Sequence, residues 1–137
     1  MTLTLLQVIN LKESIEALLE TSFKRVQLMF DYARSVKAFS EEFENYLKEE
    51  QKLVQEYNVS EMLDGQNIKK DLIKEQEESL KEYLTKRNEL LTVTVEIEFP
   101  DIFERDVKDG GPFNGKHAMI MQEMGIIKEN TDWQVAL

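Results

Sequence analysis

The sequence predicts a mainly helical α+β domain, a long antiparallel helical hairpin seated on a small base built by both terminal regions. Three observations carry this reading. Apolar residues recur at three- and four-residue steps over 22–57, a second such run covers 67–91, and the period changes to two over 92–100. At 137 residues, with 42% hydrophobic and 32% charged, the chain is long enough to bury one core. It divides into an N-terminal strand and short helix (1–21), the hairpin (22–91), a strand (92–100), and a loop, short helix and tail (101–137).

The elements follow in chain order. Residues 2–6 (TLTLL) alternate weakly and read as a strand, after which Asn10 can cap a short helix over 11–20. In the long helix, Val26, Phe30, Ala33, Val36, Phe39, Phe43, Leu47, Val54 and Tyr57 form one apolar stripe. At 1.5 Å per residue that run extends roughly 50 Å, so it projects from a domain of this size. Asn58 and the pair Asp64 and Gly65 supply turn chemistry, and Asn67 can cap the next helix. Ile68, Leu72, Leu80, Tyr83, Leu84 and Leu91 give that helix a stripe to lay against the first. Val93, Val95, Ile97 and Phe99 then point one way and Thr94, Glu96 and Glu98 the other, with Pro100 as the stop. A lone strand is not stable, and its expected partner is 2–6. Residues 101–115 read as a loop broken at Gly110, Gly111 and Pro112. Asn114 or Gly115 starts a last helix over 116–123, and Gly125 ends it.

Composition excludes several functions. There is no cysteine, so disulfides, zinc-thiolate sites and thiol nucleophiles are out. The longest apolar stretches, such as 3–9, fall short of the ~20 residues of a spanning helix, so no membrane partner is expected. The opening MTLTLL lacks the basic segment, longer apolar core and cleavage site of a signal peptide, and the Asn58 sequon therefore carries no weight. A net charge of −10 opposes direct nucleic-acid binding, which depends on Lys and Arg meeting phosphates. The acid is concentrated at Glu41, Glu42, Glu44, Glu49 and Glu50 on the first hairpin helix and at Glu75, Glu77, Glu78 and Glu82 on the second. Such runs ordinarily serve as a solvated face; the alternative is a negative field, with Glu77 and Glu78 joining the first group, that steers a basic protein partner.

Catalytic motifs are weak. GGPFNGKH over 110–117 has phosphate-loop spacing, but His117 stands where a hydroxyl should ligate magnesium, and an ordinary loop before a helix is the better reading. His117 is the only histidine, which rules out two-histidine metal sites and leaves a solvated or helix-terminal residue as the default. Ser22, Ser35, Ser40, Ser60 and Ser79 lie in helical or turn stretches without a nucleophile elbow. Glu96 and Glu98 share a strand face, and Asp101, Glu104, Asp106 and Asp109 miss the spacing of a calcium loop. No catalytic residue, metal or cofactor is therefore expected, and the chain reads as a non-enzyme.

The remaining signals point to surfaces. Met119, Met121 and Met124, with Ile120, Ile126 and Ile127, give the last helix an adaptable apolar covering. Trp133, in a polar tail, either folds back or anchors a partner. Leu28, Met29, Tyr32 and Leu53 lie partly off the main stripe, which favours a homodimer through the hairpin.

The strings QKLVQEY (51–57), RNELL (87–91) running into VTVEI (93–97), and LLETS (18–22) through Arg34 resemble those of small accessory proteins of tailed bacteriophages, a domain-of-unknown-function type. The resemblance covers about two-thirds of the chain and implies a non-enzymatic factor made in the host bacterial cytoplasm. It would act by protein–protein binding, as a virion or assembly accessory factor joined to a phage structural protein, or alternatively as an inhibitor of a host defence or regulatory protein. Residues 101–137 depart from the pattern, which places the contact peculiar to this chain in 110–137.

Overall fold

A computed structural model describes residues 1–21, 23–64, 67–68, 72–108 and 111–129. The order is β1 (Thr2–Thr4), α1 (Leu5–Glu20), α2 (Val26–Glu56), β2 (Leu63–Asp64), β3 (Asn67–Ile68), α3 (Lys74–Leu91), β4 (Thr94–Glu96), β5 (Ile102–Phe103), α4 (Gly115–Glu123) and β6 (Ile127–Lys128). The fold is α+β and mainly α, with a long helix pair, a small antiparallel sheet and a C-terminal helix, as the periodicities require.

The expected sheet forms. β1 pairs antiparallel with β4 in the register Thr2↔Glu96, Leu3↔Val95, Thr4↔Thr94. Both strands are shorter than expected. Thr4 ends β1 by capping α1: its hydroxyl accepts the Gln7 amide at 3.2 Å while Gln7 Oε1 accepts the Thr4 amide at 2.9 Å. That reciprocal cap starts the helix at Leu5, so Asn10 is interior and α1 spans 16 residues. α3 likewise starts at Lys74, where the Ile73 amide donates to Gln76 Oε1 at 3.1 Å, whereas Asn67 lies in the short β2–β3 pair. The Asn58 turn is present, with a left-handed φ of 57° that asparagine tolerates.

The 31-residue α2 is the spine. α1 packs along its N-terminal half, where the Tyr32 hydroxyl donates to the Ile15 carbonyl at 2.8 Å and Tyr32 meets Phe23 edge-on at 5.3 Å. α3 packs antiparallel along the C-terminal half, where Ser79 Oγ donates to the Tyr57 carbonyl at 2.5 Å. Two apolar clusters result. The base cluster joins Leu3, Val8, Leu11, Ile15, Leu18, Tyr32, Phe39, Ile97, Ile102, Met121 and Ile126, among others. The tip cluster consists of Val59, Met62, Leu80 and Tyr83, with Leu53, Val54 and Tyr57 against it.

Residues 101–108 are more ordered than a loop. β5 pairs parallel with β6, a 3-10 turn covers Glu104–Asp106, and Val107 bridges Phe23. No period marks this segment because its pairings are only two residues long. α4 begins one residue ahead of the expected 116, capped by Asn114, and Gly125 follows with a φ of 77°.

Candidate functional site

A polar clasp holds the start of α2. Arg25 occupies the N-cap in an extended conformation without a side-chain cap, since a guanidinium has no acceptor to offer the helix amides, and it binds Asp106 instead. Nε and Nη2 each donate to the carboxylate at 3.2 Å, the Phe103 amide donates to it at 2.9 Å, and the Asp106 carbonyl accepts the Lys24 amide at 2.9 Å. Asp106 is buried, and a buried carboxylate requires such partners. The clasp ties the start of α2 to the 3-10 turn at Glu104–Asp106.

The burial of α2 corrects the expected stripe. The buried positions of α2 are Leu28, Tyr32, Ser35, Val36, Phe39 and Tyr46, whereas Val26 is 69% exposed and Phe30 61% exposed. Three- and four-residue steps from Val26 to Phe39 connect two faces, because the small drift in such steps carries a run around the helix. Leu28 and Tyr32, expected off the stripe, are core residues, and Leu53 is half-buried at the tip. Val26, Met29, Phe30 and Ala33 instead form an outward apolar patch at i, i+3, i+4 and i+7. Val26 and Phe30 were visible in the sequence, but their opposition to the core was not.

The other anticipated surfaces divide. Met121 is buried in the base, Met124 packs partly against it, and Met119 is exposed, so the methionines do not form one face. Ile126 and Ile127 are core. Trp133 lies outside the described residues. At 3.6 residues per turn, Glu42 and Glu49 share one flank of α2 and Glu41 and Glu44 another. Glu49 pairs with Lys52 at 2.9 Å, and Glu77 and Glu78 are exposed on α3. Glu50 faces α3: it lies 3.4 Å from Arg87 Nε and accepts the Tyr83 hydroxyl at 3.4 Å. Burial first, then the Glu50 carboxylate, pushes Tyr46 up to about 12 and raises Tyr83 from the same causes. Glu50 is thus part of a polar belt between the two clusters, and the acids do not present a single field.

The candidate chemistry is otherwise committed. His117 is helix-terminal, in the first turn of α4, but its ring is half-buried and engaged: Nδ1 lies 2.8 Å from Ser14 Oγ and the ring stacks on Phe113. Ser14, which the sequence reading passed over, is only 1% exposed, and a nucleophile so enclosed cannot meet a substrate. Asn114 Oδ1 accepts the Lys116 and His117 amides at 3.0 and 3.2 Å, the groups a phosphate would need. Asp101 pairs with Lys128, Glu104 accepts from Gln122, and Asp106 is held by Arg25, which disperses the acids weighed for calcium; Asp109 lies outside the described residues. Among the described residues no three His, Asp or Glu are grouped to hold a metal, and no helix is long and apolar enough to cross a membrane. Comparison of the chain with protein-family models, curated proteins and solved structures finds no match.

Proposed function

We propose that this chain is a non-enzymatic interaction protein that associates with a second copy of itself through the outward patch of α2. The observation that carries the reading is the exposure of Val26, Met29, Phe30 and Ala33 on one face of a helix whose opposite face is already buried. The patch is self-complementary. In an antiparallel pair of α2 helices, a two-fold axis between Met29 and Phe30 sets each against the other and lays Val26 on the small Ala33. It is also small, a few hundred Å² per copy against the ~800 Å² of a standard interface, so the association is weak and concentration-dependent.

The wider role is carried by the resemblance to phage accessory proteins: a virion or assembly factor acting in the host cytoplasm, with inhibition of a host defence or regulatory protein as the second reading. Copurification with particles supports the first, and direct capture of a host target supports the second. Self-association is tested by light scattering at tens of micromolar. A mass that climbs from the monomer's towards the dimer's with concentration is expected, and Phe30→Lys returns the monomer without loss of helix signal, since Phe30 is exposed. A single monomer mass for the unmodified protein overturns the proposal.

A further inference from the structure

We propose that the free edge of β4, with the groove between it and α2, is a docking site for an extended basic segment of a partner protein, which joins the sheet as a third strand. This surface is separate from the α2 patch, so the two proposals stand or fall independently.

The register decides which backbone groups are free. The Leu3↔Val95 pair is flanked by the Leu5 amide donating to the Val93 carbonyl at 2.9 Å and the Ile97 amide donating to the Met1 carbonyl at 3.0 Å. Residues 93, 95 and 97 therefore spend their amides and carbonyls on β1. The pleat turns those of Thr94, Glu96 and Glu98 to the opposite edge. Among the described residues only one of these outward groups has a protein partner, the Glu98 carbonyl, which accepts from Ser35 Oγ at 2.6 Å. Beside this edge runs a groove of about 690 Å³, walled on the helix side by Asp31, Arg34, Ser35 and Ala38. Ser35 and Ala38 are small and leave the wall flat, and Ser35 ties α2 to the strand at a fixed separation.

Charge selects the occupant. Glu96 and Glu98 are exposed on one face two residues apart, the spacing at which an added strand places its own alternate side chains. Glu96 is partly engaged, by the Thr2 hydroxyl and the Met1 nitrogen at 3.7 Å. Glu98 makes no ion pair among the described residues, and the one cation of the wall, Arg34, is within 4.0 Å of Asp31. Opposite charges directly across an antiparallel pair attract and like charges repel. A second copy pairing β4 on β4 would set glutamates against glutamates, which removes self-pairing, and an apolar strand is deterred by the charged edge. A strand with Lys or Arg at alternate positions meets both the hydrogen-bonding edge and the carboxylates, as strand addition requires.

The probe is a heptapeptide alternating Lys and Val, with a Glu/Val counterpart and a Lys/Val peptide N-methylated throughout as controls. Residue-resolved amide exchange is the readout. The Lys/Val peptide is expected to slow exchange at the Glu96 amide at least 10-fold, whereas neither control protects it. Ala38→Trp fills the groove and weakens binding 10-fold or more with an unchanged circular dichroism spectrum, because Ala38 is exposed. Glu98→Lys, also at an exposed position, shifts preference towards the Glu/Val peptide. No binding of the Lys/Val peptide at millimolar concentration, binding that survives N-methylation, or binding that leaves exchange at Glu96 unchanged overturns the proposal.

Discussion

The base and the tip of this molecule are both held by apolar side chains on α2, yet they are built on different principles. The base cluster draws Leu3, Ile15, Tyr32, Ile97, Ile102 and Ile126 from across the chain, so most of its contacts close long loops. The tip cluster uses Val59, Met62, Leu80 and Tyr83, from one hairpin turn and the middle of the returning helix. Between them lies the belt of Tyr46, Glu50 and Arg87, into which the Tyr83 hydroxyl reaches from the tip, and there contact is polar. The difference teaches that cooperativity resides at the base and that the tip can open locally, since local opening costs only what local contacts provide.

The sharpest test is to make the same kind of cavity in each cluster. Ile15→Ala at the base is expected to cost about 4 kcal/mol and to lower global stability, and Leu80→Ala at the tip about 2 kcal/mol. Urea denaturation gives the totals, and amide exchange assigns them: Leu80→Ala speeds exchange around Val54 and Tyr83 while leaving α1 protected. Equal acceleration throughout would show that base and tip are one cooperative unit.

Next is the clasp at the start of α2. Asp106→Ala leaves the Phe103 amide and Arg25 without their acceptor and is expected to cost about 2 kcal/mol, while Arg25→Ala costs about 1 kcal/mol because its guanidinium is largely exposed. Both are read from denaturation midpoints. A loss confined to the tip would sever the clasp from the base.

The belt is probed by pH. Tyr46 has its pKa raised to about 12 in the fold, against 10.0 as the ordinary value, so the unfolded chain releases this proton first. The stabilising contribution is whole below pH 10 and is lost as pH rises towards 12. Tyr46→Phe costs about 1 kcal/mol at neutral pH and flattens the fall in stability over that alkaline window. An unaltered alkaline profile would place the titration elsewhere, at Tyr83 of the same belt or at Tyr32 in the base, both raised by burial. The smallest effect belongs to the outward acids. Glu41→Gln with Glu44→Gln is expected to change stability by less than about 0.5 kcal/mol and to lower solubility near neutral pH.

Local pattern sufficed for a good deal of this. The switch from helical to alternating period placed β4 after α3 and named its partner strand, Asn58 and Gly125 marked their turns, and Asn114 marked the start of α4. One missed boundary was also legible: Thr4 and Gln7 have the spacing of a capping box, which begins α1 at Leu5. Of the outward patch, Val26, Phe30 and Ala33 could be seen as apolar and in step, but read as core.

The sequence by itself determined the helices, their turns and the order in which they fold back, because those depend on residues within a few positions of one another. Only the tertiary structure decided which face of α2 is buried, for that is the face that meets α1 and the base cluster, whose residues come from across the chain. The same holds for Ser14 meeting His117 and for the parallel pairing of β5 with β6. A side chain's spacing states which neighbours share its face, and the partner that covers the face comes from elsewhere in the chain.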